Sequence, residues 1–169
     1  CNGGIKVNSL RNSQDFDISG TIDFDGLIIA PILNNNVFNS LLGNLEFQWH
    51  QNPDINEFSA LIDLDDGLLF KQNFNALQSD IEIRKHDGLY SVKSSGLLTG
   101  WNYDPYNWDS VNFYIHHLDN DLSYYKFNAN SATGDSLKLH VEREETGDFI
   151  MTDFKGLLKQ TKINMHKPF

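Results

Sequence analysis

Aromatic rings and carbonyl-bearing side chains are concentrated in one short segment of the chain. Residues 101–109 hold four aromatic residues and four Asp or Asn residues around Pro105. The Asp104-Pro105 step predicts a loop in which several rings are at least partly exposed. Flat rings beside amides and carboxylates suit sugar recognition, and Trp and Tyr also dominate protein interfaces. The residues expected to bind a protein partner or a glycan are Trp101, Asn102, Tyr103, Asp104, Tyr106, Asn107 and Trp108.

The same segment has a structural alternative, in which the loop folds over one end of a strand-built core and its rings cap that core. Large aromatic rings bury more surface than most other side chains, so either role suits them. The exposure of Trp101 and Trp108 distinguishes the two interpretations.

Histidine and acidic residues offer little for a metal site. His116 and His117 are adjacent on a predicted strand, so they point to opposite faces and cannot share a ligand. His140 and Glu142 share a face, but no third ligand is identifiable. The acidic run at 63–67 places its Gly fifth and a Phe twelfth, whereas a calcium-binding EF-hand needs Gly sixth and an acidic residue twelfth. We expect no metal and no cofactor, with incidental calcium at acidic turns left open.

Catalysis has no local motif in this sequence. A Gly-x-Ser-x-Gly nucleophile elbow is absent, and so are both glycine-rich phosphate-binding patterns. The single cysteine, Cys1, has no fixed base beside it. We therefore assign no catalytic residue and expect a binding protein, with paired carboxylates among the 23 acidic residues as the enzymatic alternative.

The elements that position these residues follow a period of two. Apolar and polar residues alternate in Leu45–His50, as one face of a half-buried strand requires. The last long segment, Phe149–Leu158, is apolar on parts of both faces, which indicates a central or a bulged strand. A short stretch at 35–42 is equally compatible with a helix. Further alternating runs are Phe58–Leu64, Ile81–Ile83, Val111–Ile115 and Leu137–Val141.

Turn residues separate the alternating runs. Gly accepts the positive φ of a tight turn, and Asp and Asn tolerate it. Four hairpins in series predict an antiparallel meander over about 56–160. The fold class expected is therefore all-β, an antiparallel β-sandwich built from serial hairpins, with an up-and-down β-barrel as the alternative. The predicted turns are Asp65–Gly67, His86–Gly88, Asp119–Asp121 and Glu145–Gly147.

Length and charge bound the remaining possibilities. A chain of 169 residues, 40% of them hydrophobic, suits one folded domain. The net charge of −10 repels phosphate backbones, so nucleic acid is not an expected partner. We expect a polar tether over 1–14 and a single β-sandwich domain over 15–169.

The first residues resemble the mature end of a bacterial lipoprotein. Cys1 is followed by the small polar residues Asn2, Gly3 and Gly4. In that class, which includes small outer-membrane β-sandwich lipoproteins of Bacteroidota, the Cys carries acyl groups such as palmitate that anchor the protein in a membrane. The resemblance implies a lipid-anchored outer-membrane protein, on its periplasmic or its cell-surface face. The alternative is an arbitrary cut in a longer chain.

Together these patterns favour a non-enzymatic, lipid-anchored cell-envelope protein. It is expected to act as a binding or accessory subunit of an outer-membrane assembly, with an outer-membrane or periplasmic protein as its partner. The alternative function is a glycan-binding surface lipoprotein that uses the aromatic segment 101–109. A ligand carrier or small hydrolase with a barrel interior is the third interpretation.

Mass spectrometry of natively produced protein tests the predicted anchor. We expect Cys1 to carry a diacylglyceryl group on its thiol, because two or more acyl chains are needed for stable anchoring. The intact mass should exceed that of the bare chain by this group. An unmodified thiol, or further residues in front of Cys1, would contradict the prediction.

Overall fold

The computed structural model consists of strands and turns in the residues that it describes, which are 2–9, 15–27, 38–69, 72–103, 106–119, 121–144, 146–159 and 161–165. Within these ranges, no helix is long and apolar enough to cross a membrane. The strands are β1 (Asn2–Ser9), β2 (Phe16–Leu27), β3 (Phe38–Gln51), β4 (Ile55–Leu69), β5 (Gln72–Phe74), β6 (Ala76–His86), β7 (Leu89–Tyr103), β8 (Tyr106–Leu118), β9 (Ser123–Asn130), β10 (Ser136–Arg143), β11 (Phe149–Leu158) and β12 (Thr161–Met165).

The strands form an antiparallel meander in which sequence neighbours are also spatial neighbours. Their order in the sheet is β1-β2-β3-β4-β6-β7-β8-β9-β10-β11-β12, and the short β5 pairs with β4 beside this path. The predicted all-β fold of antiparallel serial hairpins is thereby confirmed. Hydrogen bonding is continuous from one end to the other, and β1 and β12 form the two edges of the described sheet, which does not close into the alternative barrel.

Two of the strand predictions are resolved by the register. Phe149–Leu158 is the strand β11, and its pairing with β10 shifts between His140 and Val141, so β11 is bulged there. The helical option at 35–42 is wrong for residues 38–42, which lie in β3, while 35–37 lie outside the described residues. Alternation in the following residues extends the strand through this segment.

Three of the four predicted turns are confirmed in their described residues. Asp87 and Gly88 connect β6 to β7 with φ values of 51° and 81°, both positive as in a two-residue type I′ hairpin. The turns at 119–121 and 145–147 separate β8 from β9 and β10 from β11. The turn predicted at Asp65–Gly67 is wrong, because these residues continue β4. The register with β3 shifts between Leu42 and Gly43, so that Asp65 is an extra residue in β4. The residues that predicted a turn therefore form a β-bulge.

The predicted tether differs from the structure over residues 2–9. This segment is the edge strand β1, which pairs with β2 from Asn2 opposite Asp23 to Ser9 opposite Phe16. Its polar composition suits an edge strand, where one row of backbone groups faces water. Cys1 and residues 10–14 lie outside the described residues.

The most deeply buried side chains of the described residues lie near one end of the strands β4–β9. Phe74 of β5 is fully buried and Leu64 of β4 is nearly so. β5 pairs with β4 in the same register as β6, with Gly67 opposite Phe74 and Leu64 opposite Leu77, and it also contacts β7, so it extends β6 within the sheet at this end. The buried cluster comprises Leu64, Phe74, Leu77, Leu98, Trp108, Val111 and Ala129.

Replacement of Gly43 by Ala should destabilise the fold. Gly43 has a φ of +133°, and an added Cβ would collide with the backbone of Asp63 and Leu64. We expect a loss of more than about 2 kcal/mol in the free energy of unfolding, measured by denaturant titration. The matched control is Gly134→Ala, since Gly134 has a φ of +90° but open space around it. Equal losses in the two variants would contradict the steric explanation.

Candidate functional site

The predicted aromatic loop is a hairpin end in the structure. β7 ends with Trp101, Asn102 and Tyr103, and β8 begins at Tyr106. Trp101 pairs with Trp108 across the two strands. Asn102 likewise pairs with Asn107, and Tyr103 with Tyr106. Asp104 and Pro105 lie outside the described residues. The prediction of a loop is therefore wrong for 101–103 and 106–109, because alternation between the rings continues the ladder.

The rings of this hairpin pack towards the buried cluster. Trp108 is only 6% exposed, and the Tyr106 ring stacks on it with centroids 5.8 Å apart. Trp101 also packs against the cluster, and the Lys159 ammonium lies 5.6 Å from the Tyr106 ring centroid. Among the described side chains of the proposed set, only those of Asn102 and Asn107 are exposed. The arrangement favours the capping interpretation of this segment.

The histidines occupy the faces that the alternation predicts. His117 Nδ1 lies 2.9 Å from the Tyr125 hydroxyl, on the side of the sheet opposite His116. His140 and Glu142 share a face, and 3.6 Å separates His140 Nε2 from Glu142 Oε1. In the described ranges, no three His, Cys, Asp or Glu side chains are grouped as metal ligands.

Register divides the sheet into two chemically different faces. The side that carries Phe47, Ala60, Ile81, Ser94 and Ile115 in one row across five strands is called the apolar face. The opposite side is called the polar face. At its central strand positions from β2 to β11, the apolar face carries no Asp, Glu, Lys or Arg in the described residues.

The apolar face is only partly covered by the described residues. Outside the buried cluster, its large side chains are partly exposed, including Phe47, Ile81, Ile115 and Phe127. Trp49 is 37% exposed and packs edge-on against Phe16, with ring centroids 5.0 Å apart. Partly exposed apolar side chains on one face of a sheet make that face a candidate interaction site.

The polar face is divided by charge. Among the described side chains, its strands β2–β6 carry eight carboxylates and one guanidinium, and we call this part the acidic half. Its strands β7–β11 carry four lysines and two carboxylates among the described side chains, and we call this part the basic half. The members of the acidic half are Asp17, Asp23, Glu46, Glu57, Asp63, Asp66, Asp80, Glu82 and Arg84, and those of the basic half are Lys93, Lys126, Lys138, Lys155, Glu142 and Asp153.

One carboxylate in the basic half is held ionised by its neighbours. Lys155 Nζ lies 3.1 Å from Asp153 Oδ1, and Lys138 Nζ lies 3.6 Å from Asp153 Oδ2. The hydrogen bond from Lys155, followed by the charges of both lysines, lowers the pKa of Asp153 below its ordinary value. Lys93 and Lys126 make no ion pair among the described residues.

Neither face was identified from the sequence as a site. Alternation was visible in single strands, but the union of those strands into one apolar surface depends on register, which places Phe47 beside Ala60 and Ile81. The same holds for the two halves of the polar face. Both faces could have been predicted by aligning the alternating runs of neighbouring strands across the turns that connect them.

Comparisons with known proteins do not extend this description. No family model, curated protein or solved structure matches the chain. The candidate site is therefore interpreted from the chain's own faces.

Truncation of Trp108 tests the capping interpretation. Because its ring is buried in the cluster, Trp108→Ala should lower the free energy of unfolding by about 3–5 kcal/mol. Asn107→Ala, one residue away and exposed, should change it by less than about 0.5 kcal/mol. Thermal and denaturant unfolding of both variants provide the measurement. A nearly unchanged thermal midpoint for Trp108→Ala would favour a binding role for the ring instead.

Proposed function

We propose that the protein is a non-enzymatic binding subunit of a cell-envelope assembly, and that it packs its apolar face against an apolar surface of a partner protein. The observation that carries this proposal is the uncharged row across the sheet in which Phe47, Ile81 and Ile115 are partly exposed. Burial of such a surface is the main driving force of association between proteins.

The breadth of the apolar face favours a macromolecular partner. Eleven strands at about 4.8 Å spacing give a surface roughly 50 Å wide. A stable protein complex buries about 800 Å² on each partner, which a face of this width provides. A small ligand would leave most of it in contact with water.

The absence of charge on this face defines the chemistry of the partner. A carboxylate or ammonium group pressed against Phe47 and Ile81 would lose its hydration without gaining a hydrogen bond, at a cost of several kcal/mol. The surface that fits is therefore uncharged at its centre. Charged groups at its rim would meet the ends of the strands, where Lys85 of β6 and Arg143 of β10 lie.

The location in the envelope depends on the resemblance at the first residues and stays a prediction. Attachment of acyl groups to Cys1 would keep the protein beside a membrane, where partners meet at a raised effective concentration. Modest contacts would then be sufficient for association.

The alternative of glycan binding by residues 101–109 receives less support. Its ring faces are needed for stacking on sugars, but the described rings of Trp101, Tyr106 and Trp108 pack against the cluster. Asn102 and Asn107 are exposed and could form hydrogen bonds, but the described rings of this segment are not exposed beside them.

Photo-crosslinking in the native cell tests the proposed function. A benzoylphenylalanine side chain at Phe47, on the apolar face, should form a covalent adduct with a partner protein upon irradiation. The matched control places the same side chain at Leu61, which is 59% exposed on the polar face. We expect at least a tenfold lower yield of that adduct from position 61.

Two outcomes would overturn the proposal. Equal adduct yields from positions 47 and 61 would mean that the apolar face is not the binding surface. Adducts from position 47 that contain only a second copy of this chain would show self-association in place of a separate partner. Identification of the adduct by mass spectrometry distinguishes these results.

A further inference from the structure

Four partly exposed rings form a continuous row in the basic half of the polar face. Tyr114 and His116 of β8 have ring centroids 6.5 Å apart, His116 stacks on Tyr124 of β9 at 6.3 Å, and Tyr124 lies 6.3 Å from His140 of β10. Tyr114 is 40% exposed, and the other three rings are intermediate. We call these four residues the ring row.

Cationic side chains flank the ring row. The Lys126 ammonium lies 5.9 Å from the centroid of the Tyr114 ring, a cation–π contact that places a positive charge beside an exposed ring. Lys93 lies opposite His116 in the register of β7 and β8. The carboxylate of Asp153 is already shared by Lys138 and Lys155, so it offsets only part of the positive charge. Lys93 and Lys126 make no ion pair among the described residues, so these two ammonium groups can bind an anionic group.

A trough on the polar face ends at the ring row. Its volume is about 820 Å³, and it is bounded at one end by Lys93 and Tyr114. Towards the other end its lining contains hydroxyl and amide groups from Ser19, Gln48 and Ser59, together with the exposed Lys6, which lies opposite Ser19. Such groups donate and accept hydrogen bonds without requiring a charged ligand.

We infer that the trough and the ring row bind an acidic oligosaccharide. Its uronate carboxylate would pair with Lys93 and Lys126, and one sugar ring would lie on Tyr114. The following, uncharged sugar units would form hydrogen bonds to the hydroxyl and amide groups along the trough. This site lies on the face opposite to the proposed partner surface, so it does not depend on the proposed function.

The distribution of charge selects a ligand with few negative groups. Glu46, Asp80 and Glu82 also line the trough, and Glu82 lies opposite Lys93 in the register of β6 and β7. A nucleic acid carries a phosphate at every residue and would be repelled there. A glycan in which uronate and neutral units alternate can place its carboxylates beside the lysines of the trough and its neutral sugars beside the acidic residues.

Isothermal titration calorimetry with a hyaluronan hexasaccharide, in which uronate and neutral sugars alternate, tests the inference. We expect saturable binding at low salt, weakening as salt increases. The uncharged chitohexaose should bind at least tenfold more weakly. Tyr114→Ala should weaken hyaluronan binding at least fivefold and Lys126→Gln at least threefold.

Matched controls come from a second exposed Lys–Tyr pair outside the site. Lys85 lies 5.1 Å from the Tyr90 ring centroid, and Tyr90 is 46% exposed. Lys85→Gln and Tyr90→Ala remove the same chemical groups and should leave hyaluronan binding unchanged. Equal weakening by the control variants would overturn the assignment of the site.

Experiments on the unchanged chain keep the inference falsifiable if a variant does not fold. The imidazole NMR signals of His116 and His140 should shift on titration with the hexasaccharide, whereas those of His86, outside the site, should not. Absence of saturable binding, or tighter binding of an oligothymidylate of equal charge, would overturn the inference. The latter result would indicate a nucleic-acid site.

Discussion

The constraint on which the structure depends is that every strand keeps its apolar side on the same face of the sheet. A shift by one residue would move a whole strand's apolar side chains to the other face. Two bulges preserve the arrangement. Thr152 is the extra residue that allows both Met151 and Phe154 to lie opposite apolar partners in β10. The second bulge lies in β4, opposite the Leu42–Gly43 step of β3, and it keeps Leu64 and Gly67 on the same face. Phe74, which lies opposite Gly67, therefore joins Leu64 in the buried cluster.

Because the register is kept from strand to strand, the two faces of the sheet differ in polarity and charge. The apolar face concentrates uncharged side chains such as Phe47 and Ile81, while the charges lie on the other side and are themselves sorted along the strand order. Ion pairing is local within this pattern, as in the contacts of Arg84 with Glu57 and Glu82. The two faces can therefore contact chemically different molecules at the same time.

Local patterns determined what could be predicted from the sequence. The type I′ turn at Asp87-Gly88 and the bounds of β11 follow from neighbouring residues, and both were predicted. Asp65–Gly67 has the same composition as a turn, but its bulge is recognisable only from the opposite strand. At 101–109 the Asp-Pro step predicted a loop, whereas the structure has a strand pair in which Trp101 lies opposite Trp108. Alternation is also identical in a sandwich, a barrel and an open sheet, so the continuity of hydrogen bonding and the content of each face could not be predicted.

The strictly sequential order of the strands has a consequence for how such a chain folds and changes in evolution. Apart from β5, each described strand has its extensive contacts with the strands next to it in the sheet, as the β7–β8 and β3–β4 pairs illustrate. Loop closure between successive strands involves short chain segments, so formation can begin at one hairpin and propagate in both directions, as in linear repeat arrays. Duplication or deletion of a hairpin would then lengthen or shorten the sheet while leaving distant strands in place.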